Sequence, residues 1–322
     1  MYSEYKRLTS FTLTEGGTMT TAFVLSGGGI RGPLQVGALA ALLERGIVPD
    51  MMVGTSAGSL NSGFMAAYGP ELSNIPRLMD AWRSATREVV YPGGIFSLIG
   101  RLISRADGFF PTEGMRNLIA SKLPPGITTY GQLKIPCYLT AVDLRSRKLY
   151  LFGEDPNSSL LDGMMASSVI PVLQPPLDYH GLQLVDGGVL AEVPCSVAMD
   201  KGATTIYAIN VGGGEEIQPP AKGIFNIFMR TLQTWLAQSF FLDLQRADAD
   251  PQIDLHHIQI SAFNDLSFND FSKTEEQFVA GKETANRYLD APRPRALARP
   301  EVAAATGATV PGAREYVLPQ YR

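Results

Sequence analysis

The chain has 322 residues, 45% of them apolar and 18% charged, with a formal net charge of -4. That is enough chain for one large domain, or two small ones, with a real core, and it excludes a disordered or fibrous protein. The acidic balance, with no basic block interleaved with aromatics, excludes general attraction to nucleic acid, and it mildly repels anionic membranes except where basic residues cluster.

The N-terminal "MYSEYKRLTSFTLTEGG" has no apolar stretch of signal-peptide length, and Met19 offers an alternative start, so residues 1–20 read as an extension. "TAFVLSGG" reads as a buried strand running into glycines; Pro33 then stands in the first turn of a helix over "LQVGALAALLERG", which stops at Gly46. "DMMVGTSAG" is a second strand with a glycine-flanked turn, followed by a small-residue helix, "SLNSGFMAAYG". Strand, helix, strand, helix is the pattern of a parallel sheet with crossovers. From Leu72 to Leu123 the pattern is irregularly helical, broken at "YPGG". "IPCYLTAVDL" and "KLYLFGE" read as strands joined by "RSRK", and "MMASSVIPVLQPP" as a short helix stopped by prolines. "LQLVDGGVL" is a strand with a glycine turn and "TTIYAINVGGG" another strand. A long helix over "IFNIFMRTLQTWLAQSFFLDLQR", a strand "IDLHHIQI" and an amphipathic helix "KTEEQFVAGKETANRYLD" follow. Residues 291–322, rich in Pro, Ala and Arg without periodicity, read as an extended or disordered tail. Residues 21–290, which carry all of these elements, read as one domain. No internal repeat is visible.

No segment reaches the roughly 18 uncharged apolar residues of a membrane span. Residues 224–244 come nearest, interrupted by Arg230, Gln233 and Gln238. Their stripe of Ile224, Ile227, Phe228 and Trp235, with Leu232 beside it, reads as core or a subunit contact. Cys137 and Cys195 lack CxxC or ligand spacing and read as buried thiols, which fits a reducing, cytoplasmic compartment.

Gly27, Gly29 and Gly32 satisfy the G-x-G-x-x-G of dinucleotide binding. That site also needs an acid at the far end of the second strand, about 20 residues on. Asp50 has the spacing but stands at the start of that strand. At its far end lies Gly54-Thr55-Ser56-Ala57-Gly58, a G-x-S-x-G between an apolar strand and a small-residue helix, the setting of a nucleophile elbow. Its glycines let neighbouring chain approach without Cβ clashes, and the helix N-terminus adds partial positive charge. The first loop then gains a different use. The amides of Gly28, Gly29 and Ile30, at a neighbouring strand end, can receive the oxyanion of an attacked ester, with Arg31 as a fixed cation or loop anchor.

A serine nucleophile needs a proton acceptor. His180 reads as a turn residue, and His256 and His257 as strand residues; none has the context of a triad base. Asp186 ends an apolar run and is followed by Gly187 and Gly188, so it can reach across to a serine, and partial burial would raise its basicity. Asp143 is the rival carboxylate, read as structural because Arg145 and Arg147 follow it closely.

"LSGGGIRG", "GTSAG", "ASSVIPVLQPP" and "VDGG", in this order, resemble the patatin-like phospholipases. The resemblance implies a three-layer α/β/α fold with a central, mostly parallel sheet, and lipid acyl hydrolysis by a Ser-Asp dyad without metal or other cofactor. It maps the nucleophile onto Ser56, the acceptor onto Asp186 and the oxyanion loop onto Gly28 and Gly29 with Arg31 alongside. Plant members carry an acid before the glycines, where this chain has Ser26. The implied partner is a lipid ester at a membrane surface. Acyltransferase, thioesterase or inactive lipid-binding alternatives stay open, as does the oligomeric state. Ile95, Leu98, Ile99, Leu102 and Ile103 share one face of a helix over Ile95–Arg105, read as core-packed or as a lid on lipid.

Overall fold

The computed structural model describes residues 19–94, 100–101, 103–212 and 220–291. The expected N-terminal extension up to residue 18 and nearly all of the expected tail lie outside the described residues, as do Ile95, Leu98, Ile99 and Leu102 of the expected amphipathic helix over Ile95–Arg105.

The strands are β1 (Thr21–Leu25), β2 (Met51–Gly54), β3 (Cys137–Asp143), β4 (Lys148–Phe152), β5 (Leu177–Tyr179), β6 (Leu182–Asp186), β7 (Thr205–Asn210) and β8 (Asp254–Gln259). They form one sheet in the order β5-β6-β3-β2-β1-β7-β8, with β4 also paired to β3. The run β3-β2-β1-β7-β8 is parallel; β4, β5 and β6 are antiparallel to their partners. The sheet is thus mostly parallel, as the alternating pattern predicts.

The helices are α1 (Gly32–Glu44), α2 (Ala57–Tyr68), α3 (Ile75–Ser84), α4 (Arg87–Val90), α5 (Glu113–Lys122), α6 (Leu160–Ser168), α7 (Cys195–Asp200), α8 (Ile224–Ala249) and α9 (Thr274–Asp290). All of β2 and β7 is buried, as is β1 apart from Thr21, so the centre of the sheet is covered on both faces. The handedness of crossovers explains the covering. From β1 to β2 to β3 the chain steps one way across the sheet, and from β7 to β8 the other way, so right-handed connections put α1 and α2 on one face and α8 on the opposite one. The result is the expected three-layer α/β/α arrangement. On the first face α9 packs against α1 with backbone nearly touching: a Cβ on Gly37 would strike the carbonyl of Phe278, and one on Gly281 that of Leu34.

The sheet edge of β3 decides where the chemistry-bearing residues meet. β4 pairs along Leu139–Asp143 and takes one edge. The other edge is shared. β2 occupies its first part, with Gly54 opposite Leu139, and antiparallel β6 its last part, with Asp186 opposite Ala141. The C-terminal ends of β2 and β6 therefore meet head-on, two β3 positions apart, which is about 7 Å.

Candidate active site

The chain leaves β2 through Thr55 and turns at Ser56, whose φ of 53° and ψ of -122° lie far from what a side chain prefers. Conformations of this kind cost of order 1–3 kcal/mol and persist only where the surroundings over-determine them. Here the surroundings do. Thr55 N–H donates to Leu25 O at 3.1 Å and its hydroxyl to Ala191 O at 2.7 Å; Ser56 N–H donates to Ser167 Oγ at 2.9 Å. Gly58 N–H donates to Ser26 O at 3.1 Å, and its Cα lies so close to the end of β1 that a Cβ would strike the carbonyls of Leu25 and Ser26. Ser56 precedes α2 as its N-cap, yet its hydroxyl makes no capping bond and is left for another partner.

That partner is Asp186. The Ser56 hydroxyl lies within hydrogen-bond range of its carboxyl, and Asp186 Oδ1 also accepts Gly188 N–H at 2.8 Å. Burial pushes the Asp186 carboxyl up to about 6, against the lowering effect of the Ser56 and Gly188 donors. Its turn is held by Asp186 N–H to Val169 O at 3.0 Å and is packed so tightly on β3 that a Cβ at Gly187 would run into Thr140. The structure thus brings together Ser56 and Asp186, which are 130 positions apart in the chain.

The glycine loop lies beside them. Residues 29–31 form one 3-10 turn, and Gly28 precedes it. The first N–H groups of such a turn, those of Gly28, Gly29 and Ile30, have no acceptor within it. Gly29, at φ +55°, and Ile30 share a cavity wall with Ser56. Arg31 serves the loop as an anchor: its Nη1 donates to Asn264 Oδ1 at 2.6 Å, and its Nε reaches Gly28 O at 3.4 Å. Gly27 N–H donates to Glu192 O at 3.0 Å, and Gly32 packs so closely on Trp82 that no Cβ would fit. The cavity measures about 100 Å³, and its wall is almost wholly apolar, including Leu60, Phe64, Trp82, Met115, Ile119 and Met164.

Several rival candidates fall elsewhere. β8, with His256 and His257, lies three strands from β2, about 14 Å away at ordinary strand spacing. His256 Nε2 pairs with Asp254 at 3.1 Å, while burial lowers His257 to about 4. His180 sits in the turn before β6, at the end away from Asp186. Asp50 accepts Thr21 N–H at 2.7 Å at the N-terminal ends of β1 and β2, the opposite end of these strands from the glycine loop. Asp143 is structural, but for a different reason than its arginine neighbours. It receives Ser146, Gln183 and Arg145 backbone amides at 3.0, 3.0 and 3.3 Å, and bonds from Ser146 above all hold it down to about 2. Both cysteines are buried and unpaired. Among the described residues no three His, Cys, Asp or Glu side chains gather as metal ligands would.

Two features escape sequence reasoning. One is a buried chain of side-chain bonds: Trp82 Nε1 to Asn61 Oδ1 at 2.8 Å, Asn61 Nδ2 to Gln35 Oε1 at 2.8 Å, and Gln35 Nε2 to Ser26 O at 2.7 Å. It ties the glycine loop to α1, α2 and α3. The other is Glu192, only 7% exposed. A Cβ on Gly27 would lie 2.6 Å from its Oε2 and one on Gly212 3.2 Å from its Oε1, so the carboxyl is wedged against the glycine loop. Burial, then the neighbouring Asp186 charge, push it up to about 8, with Arg31 pulling the other way.

A Patatin-like phospholipase profile matches residues 23–199, more than half of the chain, and its span contains both Ser56 and Asp186. The chain belongs to the patatin-like phospholipase family. Among its relatives, "Lysophospholipase NTE1" of Mycosarcoma maydis is 29% identical over 212 residues, 64% of this chain and 10% of that protein. "Patatin-like phospholipase domain-containing protein 6" of Homo sapiens is 28% identical over 198 residues, 61% of this chain and 14% of that protein. This chain therefore matches only a small part of these relatives. Among solved structures, VipD from Legionella pneumophila superposes with a TM-score of 0.49 at 15% identity, covering 85% of this chain and 67% of that one.

Proposed function

We propose that this patatin-like domain is a lipid acyl hydrolase that cleaves carboxylic ester bonds of phospholipids or related lipid esters through a Ser56–Asp186 dyad and an acyl-enzyme. The observation that carries the proposal is the Ser56 hydroxyl placed against a buried carboxyl, at the wall of an apolar cavity large enough to begin enclosing an acyl chain. Membership of the family, and relatives named as lysophospholipases, favour the same bond. The substrate is met at the surface of a membrane or micelle, with the protein peripheral to it and in the cytoplasm.

Asp186 accepts the Ser56 proton as Oγ bonds to the ester carbonyl carbon. The carbonyl oxygen becomes an oxyanion facing the Gly28, Gly29 and Ile30 amides. Collapse of the tetrahedral carbon breaks the bond to the leaving alcohol, which takes the proton from Asp186. Water, deprotonated by the same carboxylate, then attacks the acyl-enzyme, and the fatty acid leaves as Ser56 regains its proton. A carboxyl near 6 suits this work: it is ionised at neutral pH, yet more basic than a solvated carboxylate. The test is labelling with a fluorophosphonate lipid probe, together with hydrolysis of p-nitrophenyl esters and phospholipids. Ser56→Ala abolishes both, and Asp186→Asn lowers turnover by roughly 10³-fold or more. Wild-type labelling or hydrolysis by pure Ser56→Ala overturns the proposal.

A further inference from the structure

The serine that opens the reaction is held by the chain. The water that closes it has no such tether and needs a place of its own. A water is set for attack when an acceptor takes one of its protons and a donor holds one of its lone pairs. Ionised Asp186 can accept and cannot donate. The donor has to come from the cavity wall.

Side-chain donors on that wall are few, and most are spent. Trp82 Nε1 donates to Asn61, Lys122 Nζ to Asp80 at 2.7 Å, and Ser168 Oγ to Ser56 O at 3.4 Å. Tyr91 is different. It lines the same cavity as Ser56 and is only 5% exposed, yet its hydroxyl has no hydrogen-bond partner among the described residues. A buried tyrosine hydroxyl is ordinarily paired. The ring is fixed edge-on by Phe110 and Phe268, with centroids 5.2 and 5.3 Å away, and by Phe271 at 6.3 Å. Burial, then the charge of Asp186, push the phenol well above its ordinary value, so it keeps its proton beside the base.

Other approaches to the base are closed. Glu192 and Leu236 both crowd the Cβ position of Gly188 in the Asp186 turn. Leu236 belongs to the inward face of α8, with the fully buried Leu244 and Ala247. The side of α8 that carries Ile224, Ile227, Phe228 and Trp235, expected as core or a subunit contact, is exposed instead. Asp186 therefore meets water from the side of Ser56 and the cavity.

We propose that the Tyr91 hydroxyl seats the hydrolytic water. It donates to one lone pair of the water, and Asp186 takes one of the water's protons as the other lone pair bonds to the acyl carbon. The tetrahedral carbon then collapses, its bond to Ser56 Oγ breaks, and Oγ takes the proton back from Asp186. Tyr91 keeps its own proton throughout. The inference rests on the acyl-enzyme reading above and assigns a residue to its second half. The first half does not use Tyr91, because the attacking oxygen there is that of Ser56.

The test is Tyr91→Phe in the full chain, with p-nitrophenyl butanoate as substrate, whose good leaving group makes loss of the acyl group the slow step. The variant keeps the ring among its phenylalanines and loses only an unpaired oxygen. Rates are counted per site titrated by the fluorophosphonate probe, so any misfolded fraction drops out. The expected result is a kcat lowered by about ten- to a hundredfold, the worth of one hydrogen bond to a reacting group, with kcat/KM, which reports acylation, unchanged within about threefold. p-Nitrophenol appears in a burst of about one equivalent, and the intact mass shows a butanoyl adduct that Ser56→Ala lacks. A kcat and kcat/KM that fall together without a burst, as a merely structural tyrosine would give, overturn the inference. So does a variant that turns over like the parent. A parent that hydrolyses no ester and takes no fluorophosphonate label strikes the hydrolase reading, and this inference with it.

Discussion

A buried carboxyl raised to about 6 makes the protein less stable than it would be without it, and Asp186→Asn exposes that burden. Asp186 is 7% exposed, and burial outweighs its two hydrogen-bond donors, lifting the group from 3.8 to about 6. The folded state therefore holds the proton more tightly than the unfolded chain. Well below pH 4 both states are protonated and nothing is lost. As pH rises from about 4 to 6 the unfolded chain ionises first, so folding stability falls, and above 6 the deficit is constant at about 3 kcal/mol. Asparagine keeps an oxygen to accept the Gly188 N–H, at 2.8 Å in the parent, and does not ionise. At pH 7 the variant unfolds at a urea concentration higher by roughly 1 M for a domain of this size, and the difference closes by pH 4. The assay is urea unfolding of both proteins at pH 4 and pH 7, followed by circular dichroism. Equal midpoints at pH 7, or a gap that does not change with pH, would show that burial does not raise the carboxyl, and the proposed basicity of the dyad would lose its physical cause.

Hydrolysis of a soluble ester rises with pH through about 6 as Asp186 ionises, and falls again around pH 8 as Glu192 ionises and sets a second negative charge beside Asp186 and Gly27. Glu192→Gln, which copies the neutral acid, keeps the rise near 6 and removes the fall; an unchanged alkaline limb means that some other group causes it. Gly58→Ala drives a Cβ into the carbonyls of Leu25 and Ser26, and costs about 1–3 kcal/mol of stability together with most of the activity. Thermal melts that match the parent would show the elbow has slack there.

The parts of the site that could be read in the sequence are those encoded within a few residues. The elbow needs a strand, a glycine pair and a helix start, and all of these lie between Met51 and Tyr68; the Asp186 turn likewise announces itself by an apolar run and two glycines. Their meeting is not local. It comes from β6 pairing antiparallel on the edge of β3 that β2 vacates, and no alternation of apolar residues specifies that register. α7, six residues long, is too short to show a helical period, and α8 shows a period without revealing which of its two apolar faces the core takes.

Glu192 is the sharpest case. In "GVLAEVPCS" it looks like a solvated acid, because two of the three glycines packed on its carboxyl, Gly27 and Gly212, come from other stretches of the chain, and only Gly188 is near it in sequence. The glycines explain each other once they are seen together. Gly27 and Gly188 belong to the two motifs that point to acyl chemistry, and each lacks a side chain where the Glu192 carboxyl now lies. The positive φ of Gly29 accounts for one glycine of the first motif, and packing on Thr140 for Gly187 of the second. The carboxyl gives a separate reason for these two: a methyl group at either would collide with it and push a buried acid toward the Ser56–Asp186 pair. Two turns that appear independent in the chain are thus packed against one shared group, and a change at any of the three positions is felt by the other two.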